Sequence, residues 1–126
     1  MHRGFSLIEL VIVLAILAIL AAIAYPSYAA QIRRSARADA QTFLTNGANR
    51  QQQYLVDRRT YAASFSALGV TPAGTLSSKY TFTVTAVDGP PPGFTLAATA
   101  TGDQAHDACP SLSIDSAGNR TPATCW

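Results

Sequence analysis

GFSLIELVIVLAILAILAAIA, residues 4–24, decides how the rest of the chain is read. From Leu10 to Ala24 every residue is apolar, and with Phe5 to Glu9 the run reaches about the twenty residues that a helix needs to cross a bilayer. One carboxylate, Glu9, stands near its start. An ionised carboxylate at a bilayer centre costs about 2.5–3.5 kcal/mol on insertion scales, and such groups find a partner or mark a functional site. A cut just before Phe5 would create a positive amine four residues upstream of Glu9, available to that carboxylate in the same chain or in a neighbour. The helix dipole also favours a negative charge in the first turn.

Beyond the run the pattern changes. Pro26 removes a backbone donor and disfavours helix at the residue before it, which predicts a kink or local melting, a flexible joint, at 24–27. Ile32, Ala36, Ala40, Phe43, Gly47, Gln51 and Tyr54 then recur at steps of three or four, predicting an amphipathic helix over about 28–55 with a narrow stripe of mostly small residues. Gly47 weakens that helix by about 1 kcal/mol relative to Ala. Residues 58–78 read as a connection with one helical turn at most. KYTFTVTAV (79–87) and FTLAATAT (94–101) alternate apolar residues with Thr or Ala, as two antiparallel strands with one buried face. DGPPPG between them is a turn. A shorter pair is predicted at 111–115 and around Arg120 and Thr121. The expected fold is α+β: a long N-terminal helix, hydrophobic then amphipathic, packed on an antiparallel β-sheet.

The 126 residues allow one domain of modest core. Net charge is +2, but the arginines concentrate in the first half, and the region after residue 60 is mildly acidic. The only two cysteines, Cys109 and Cys125, follow an export-like N-terminus, so a disulfide in an oxidising compartment is the natural reading, two separate buried thiols the other. Neither they nor a distant His106 supply four-ligand metal spacing, and no cofactor is implied. Enzyme chemistry finds no nucleophile constellation, no paired carboxylates and no phosphate loop; a solvated loop explains both His106 and Asp107.

GFSLIEL, the apolar helix, AAIAYPSY and the arginine-rich continuation together resemble a type IV pilin, most specifically over residues 4–59. The resemblance implies a prepilin leader at 1–4, a transmembrane and polymerisation helix at 5–27, and a periplasmic or extracellular globular domain at 28–126. A prepilin peptidase would cut after Gly4 and methylate Phe5. Glu9 would then pair with the Phe5 amine of an adjacent subunit during assembly, and Pro26 falls where the family's helix melts on assembly. CPSLSIDSAGNRTPATCW is similar to the family's disulfide-bounded C-terminal loop, and the small size and Cys-Trp ending favour a minor pilin. Implied partners are other pilin subunits, the pilus assembly platform and, before assembly, the inner membrane. The expected function is that of a structural subunit of an extracellular filament, whether it serves adhesion, twitching motility or DNA uptake.

Rival accounts differ in what they do with the same residues. A removable secretory signal ending at AIA (22–24) leaves Glu9 without purpose and is long for its task. A type II secretion pseudopilin shares the N-terminus but typically lacks the Cys pair. A DNA receptor needs clustered cations, for which Arg50, Arg58 and Arg59 are the candidate patch. Arg33, Arg34 and Arg37, expected near the filament core, outnumber Arg3 and by the positive-inside rule would sit in the cytoplasm, opposite to what the cysteines require.

Overall fold

The computed structural model describes residues 3–126; the first two residues of the expected leader lie outside the described residues. The first helix, α1 (Leu7–Arg58), runs through two compact units, 1–32 and 33–126. In the first unit the apolar side chains from Leu7 to Ile23 are all exposed, and its most apolar 18-residue window has a mean hydropathy of 3.1 with nothing buried. A helix that is apolar on every face and covered by none of its own chain is long and apolar enough to cross a membrane.

Of the kink or local melting expected at 24–27, melting is not seen: α1 is helical through Pro26. Proline forfeits one hydrogen bond to the preceding turn, whereas ending one helix and starting another would leave several backbone groups at the new ends without intrahelical partners. Continuity is the cheaper outcome.

In the second unit α1 is followed by α2 (Gly74–Ser77) and the strands β1 (Tyr80–Val87), β2 (Gly93–Ala100), β3 (Ser111–Asp115) and β4 (Arg120–Thr121). They form one antiparallel sheet in the order β1-β2-β3-β4, with Tyr80 opposite Ala100, Leu96 opposite Ile114, and Ile114 opposite Arg120. The fold is therefore α+β, with both strand pairs where the sequence predicts them. Phe94, Leu96, Ala98 and Ala100 of β2 are buried, while Thr81, Thr83, Thr85, Thr95 and Thr99 face solvent.

Ala36, Ala40, Leu44, Gly47, Ala48 and Gln51 are the buried face of α1, packed in one core with Tyr80, Leu96, Leu112 and Ile114. This stripe is wider than the predicted one: Leu44 and Ala48 join it, Tyr54 is half-buried, and Ile32 stays 40% exposed. Each fully buried leucine contributes about 1.5–3 kcal/mol. Gly47 is a close-approach site as well as a weak helix former, since a Cβ there would lie 3.0 Å from both Leu96 Cδ1 and Phe65 Cε1.

Cys109 and Cys125 form a disulfide 16 residues apart in sequence with Cα atoms 6.0 Å apart, closing a loop that contributes about 3 kcal/mol in the chain-entropy model. Gln41 Nε2 donates to the Cys125 carbonyl, and half-buried Trp126 packs against the core while its Nε1 donates to Thr121 O at 3.3 Å. Arg33 pairs with Asp103 at 3.2 Å and Arg37 with Asp107 at 3.3 Å. Asp107 is thus not a solvated loop residue: its side chain is 6% exposed, and the guanidinium compensates its burial.

Candidate functional site

At the start of α1, Ser6 Oγ accepts the Glu9 N–H at 3.2 Å and Ser6 O accepts from Leu10 N at 3.2 Å. Ser6 is therefore the N-cap, three residues before a glutamate, the spacing of a capping box. Arg3 to Ser6 lie outside the helix and are exposed. The Gly4–Phe5 peptide thus lies outside regular structure and is accessible, Gly4 has no neighbour within 4 Å of where a Cβ would stand, and Phe5 is 85% exposed. Glu9 is exposed in the first turn. The capping role of Ser6 is legible as S-x-x-E and was missed behind the question of what Glu9 does.

The other end of α1 carries the arginines. Arg58 lies over the Tyr54 ring, 5.7 Å from its centroid, and Arg50 shares with Tyr54 a small hollow of about 140 Å³ that Asp57 also lines. Arg50, Tyr54 and Arg58 follow one another at steps of four, so they form a row along one side of the helix, an aromatic ring between two cations. Arg59 is separate. It closes the helix in the left-handed conformation, φ 60°, its N–H bonded to Leu55 O at 2.7 Å. It lines a second hollow, of about 420 Å³, with Thr60, Asp88, Gly89, Pro90 and Pro92.

The loop that follows Arg59 is pinned from the helix: Gln51 Nε2 donates to Ala62 O and Gln51 Oε1 accepts from Ala62 N, both at 2.8 Å. Nothing in the sequence singled out this buried glutamine as the anchor of the arginine-bearing end. A further cation, Arg120, sits 5.2 Å over the Trp126 ring at the sheet edge. The hydroxyl-rich face of the sheet presents Thr81, Thr83, Thr85, Thr95 and Thr99 without a cation among them, so it offers nothing to neutralise phosphates. Arg33, by hydrogen bond and by charge, holds the Asp103 carboxyl below the usual carboxylate range. Asn119, through its side chain and backbone N–H, does the same for Asp115. Burial raises the Tyr80 hydroxyl, whose oxygen accepts a hydrogen bond from Gln104 Nε2 at 2.9 Å. Among the described residues no three His, Cys, Asp or Glu side chains gather as a metal site.

Comparison with known families gives two matches. Residues 1–25 match the prokaryotic N-terminal methylation motif, which spans Gly4, Phe5 and Glu9. Residues 26–113 match the family described as type IV minor pilin ComP, DNA uptake sequence receptor. No curated protein matches the chain. Because the second match takes in well over half of the sequence, including Arg50, Tyr54, Arg58 and Arg59, and the first supplies the pilin N-terminus, this chain belongs to the ComP family of type IV minor pilins.

Proposed function

We propose that this minor pilin is a DNA receptor carried on a type IV pilus. The observation that carries the reading is the match of residues 26–113 to a family described as a DNA uptake sequence receptor, in a chain whose helix end bears a cation, ring, cation row. Arg50 and Arg58 neutralise phosphates and Tyr54 offers its exposed edge between them, the combination by which proteins hold a nucleic-acid strand.

Before that, the chain is inserted in the inner membrane by residues 5–27, cut after Gly4 by prepilin peptidase and methylated at Phe5. The exposed, uncrowded Gly4–Phe5 peptide and the methylation motif support this order. In the filament the exposed apolar helix exchanges lipid for neighbouring helices, with Ala15, Ala18, Ala21 and Ala22 permitting close approach. Glu9 pairs there with the Phe5 amine of an adjacent subunit, which gives the carboxylate its partner and the subunit its register.

The test is binding of the full chain in detergent micelles to a labelled DNA duplex over a range of salt. Affinity should fall linearly on logarithmic axes, and replacing Arg50 and Arg58 by Ala should lower the slope by about 2, one unit per phosphate contact. Binding that is absent, or indifferent to salt, overturns the receptor reading. Intact mass of the chain purified from its native envelope tests the processing separately: a start at methylated Phe5 supports it, and a start at Tyr25 overturns it.

A further inference from the structure

The hollow beside Arg59 has an unusual charge pattern for a surface that meets DNA. It places a guanidinium and a carboxylate, Arg59 and Asp88, on one concavity of about 420 Å³. The ion pairs among the described residues are Arg33 with Asp103, Arg37 with Asp107 and His106 with Asp103, so Arg59 and Asp88 face the same space without engaging each other. The rest of the lining is apolar or small: Gly89, Pro90, Pro92 and Thr60.

A phosphate does not suit this hollow, because Asp88 repels it. What suits it is a flat, uncharged group with acceptors along one edge and donors along the next. Guanine has that pattern: O6 and N7 accept from a guanidinium, and N1–H and the 2-amino group donate to a carboxylate. Proline rings give its face an apolar wall, and the volume lies within the range of small-ligand sites. Two further features point the same way. Arg59 occupies a left-handed helix end that glycine fits better, so a side chain is held where the backbone alone argues against one. The row from Arg50 to Arg58 lies along the last turns of α1, and Arg59 is the next residue of the chain.

We infer that the Arg59–Asp88 hollow takes an unstacked guanine base from a single-stranded or frayed stretch of bound DNA, with Arg59 on O6 and N7 and Asp88 on N1–H and the 2-amino group. This rests on the DNA-receptor reading and specifies which part of the ligand the site reads. Unstacking is the cost of such recognition in a duplex, and it vanishes in a single strand. The hollow accordingly favours single-stranded over paired guanine.

The experiment compares two labelled single-stranded probes, an oligothymidine and the same oligomer with one central guanine, each titrated with the full chain in detergent micelles. The guanine probe should bind about tenfold tighter. Asp88→Asn should reduce that preference to what Arg59 confers through O6 and N7, while leaving the oligothymidine bound equally or more tightly, since it removes a negative charge near the strand. Replacing guanine by hypoxanthine, which lacks the 2-amino donor, should lose part of the preference in the wild type and none in the variant. Equal binding of both probes by the wild type, or a preference undiminished in Asp88→Asn, overturns the base site and leaves the DNA reading standing. No binding of either probe or of duplex overturns both.

Discussion

Gln51 and Ala62 are joined by two hydrogen bonds of 2.8 Å, the amide of one closing on both backbone groups of the other. Gln51 is completely buried on α1, and Ala62 is 2% exposed in the connection that follows it. Gln51→Leu would fill the space but leave a buried N–H and C=O without partners, each costing about 1–3 kcal/mol. A loss of about 2–4 kcal/mol on chemical denaturation is therefore expected. A loss below about 0.5 kcal/mol, the usual size for an uninvolved surface position, would mean that the loop is held by packing alone. Because the same loop begins at Arg59, DNA affinity should weaken in this variant under conditions where the protein is still folded.

Acid should unfold the globular unit through a small set of carboxylates. Arg33 lowers the folded-state pKa of Asp103, and Asn119 lowers that of Asp115. A depressed carboxylate contributes stability above its unfolded pKa of about 3.9 and loses it as pH falls through the lower, folded value. Thermal midpoints should accordingly be flat near neutrality and fall below about pH 4. Asp103→Asn should blunt that fall without abolishing it, because Asp115 remains. Both carboxylates are exposed, so the Arg33 contribution should shrink in high salt whereas the Asn119 contribution, which rests on hydrogen bonds, should persist. An acid limb identical in wild type and Asp103→Asn would remove the ion pair from the account.

What the sequence made legible was whatever depends on near neighbours. Alternating threonines placed β1 and β2 within a residue or so of their ends, and the two cysteines found each other as their compartment suggests. What it hid depends on distance or on cooperativity. Arg33 and Arg37 read as an unexplained positive cluster because Asp103 and Asp107 lie some seventy residues on. The local melting expected at Pro26 came from a local rule, applied where helix on both sides overrides it. Leu44 and Ala48 fell outside a stripe drawn from every third or fourth residue, since a helix packed on a sheet buries a broader arc. The arginine patch was legible as composition only: the grouping of Arg50 and Arg58 around Tyr54, and of Arg59 with Asp88, is set by where α1 ends and where the DGPPPG turn lies.

Gly47 sets two effects against each other. Alanine is the better helix former by about 1 kcal/mol, but its Cβ would stand 3.0 Å from Leu96 Cδ1 and Phe65 Cε1. Leu96 is fully buried and cannot retreat into solvent, and overpacking a formed core costs about 1–3 kcal/mol. Gly47→Ala is expected to destabilise by about 1 kcal/mol net, and Gly47→Val by more, because it adds bulk and loses helix propensity. Denaturation midpoints of the two variants decide the matter: an Ala variant more stable than wild type would show that the contact relaxes and that propensity governs.

Arg59 offers the sharpest separation of stability from function. As a non-glycine residue at φ 60° it bears a left-handed conformation costing about 1 kcal/mol, which glycine would relieve while giving back part of the gain through a freer unfolded chain. Arg59→Gly should thus leave the unfolding free energy unchanged or raise it by up to about 1 kcal/mol. The same change removes the guanidinium from the hollow it shares with Asp88, so affinity for the guanine-bearing strand should fall about tenfold, with a smaller loss for oligothymidine. Arg59→Lys separates charge from shape: it keeps the cation and the strain but not the forked donor pair, and should retain oligothymidine binding while losing most of the guanine preference. A variant at this position that is both less stable and unaltered in binding would place Arg59 among residues that merely close the helix, and the hollow beside it would lose its reason for an arginine.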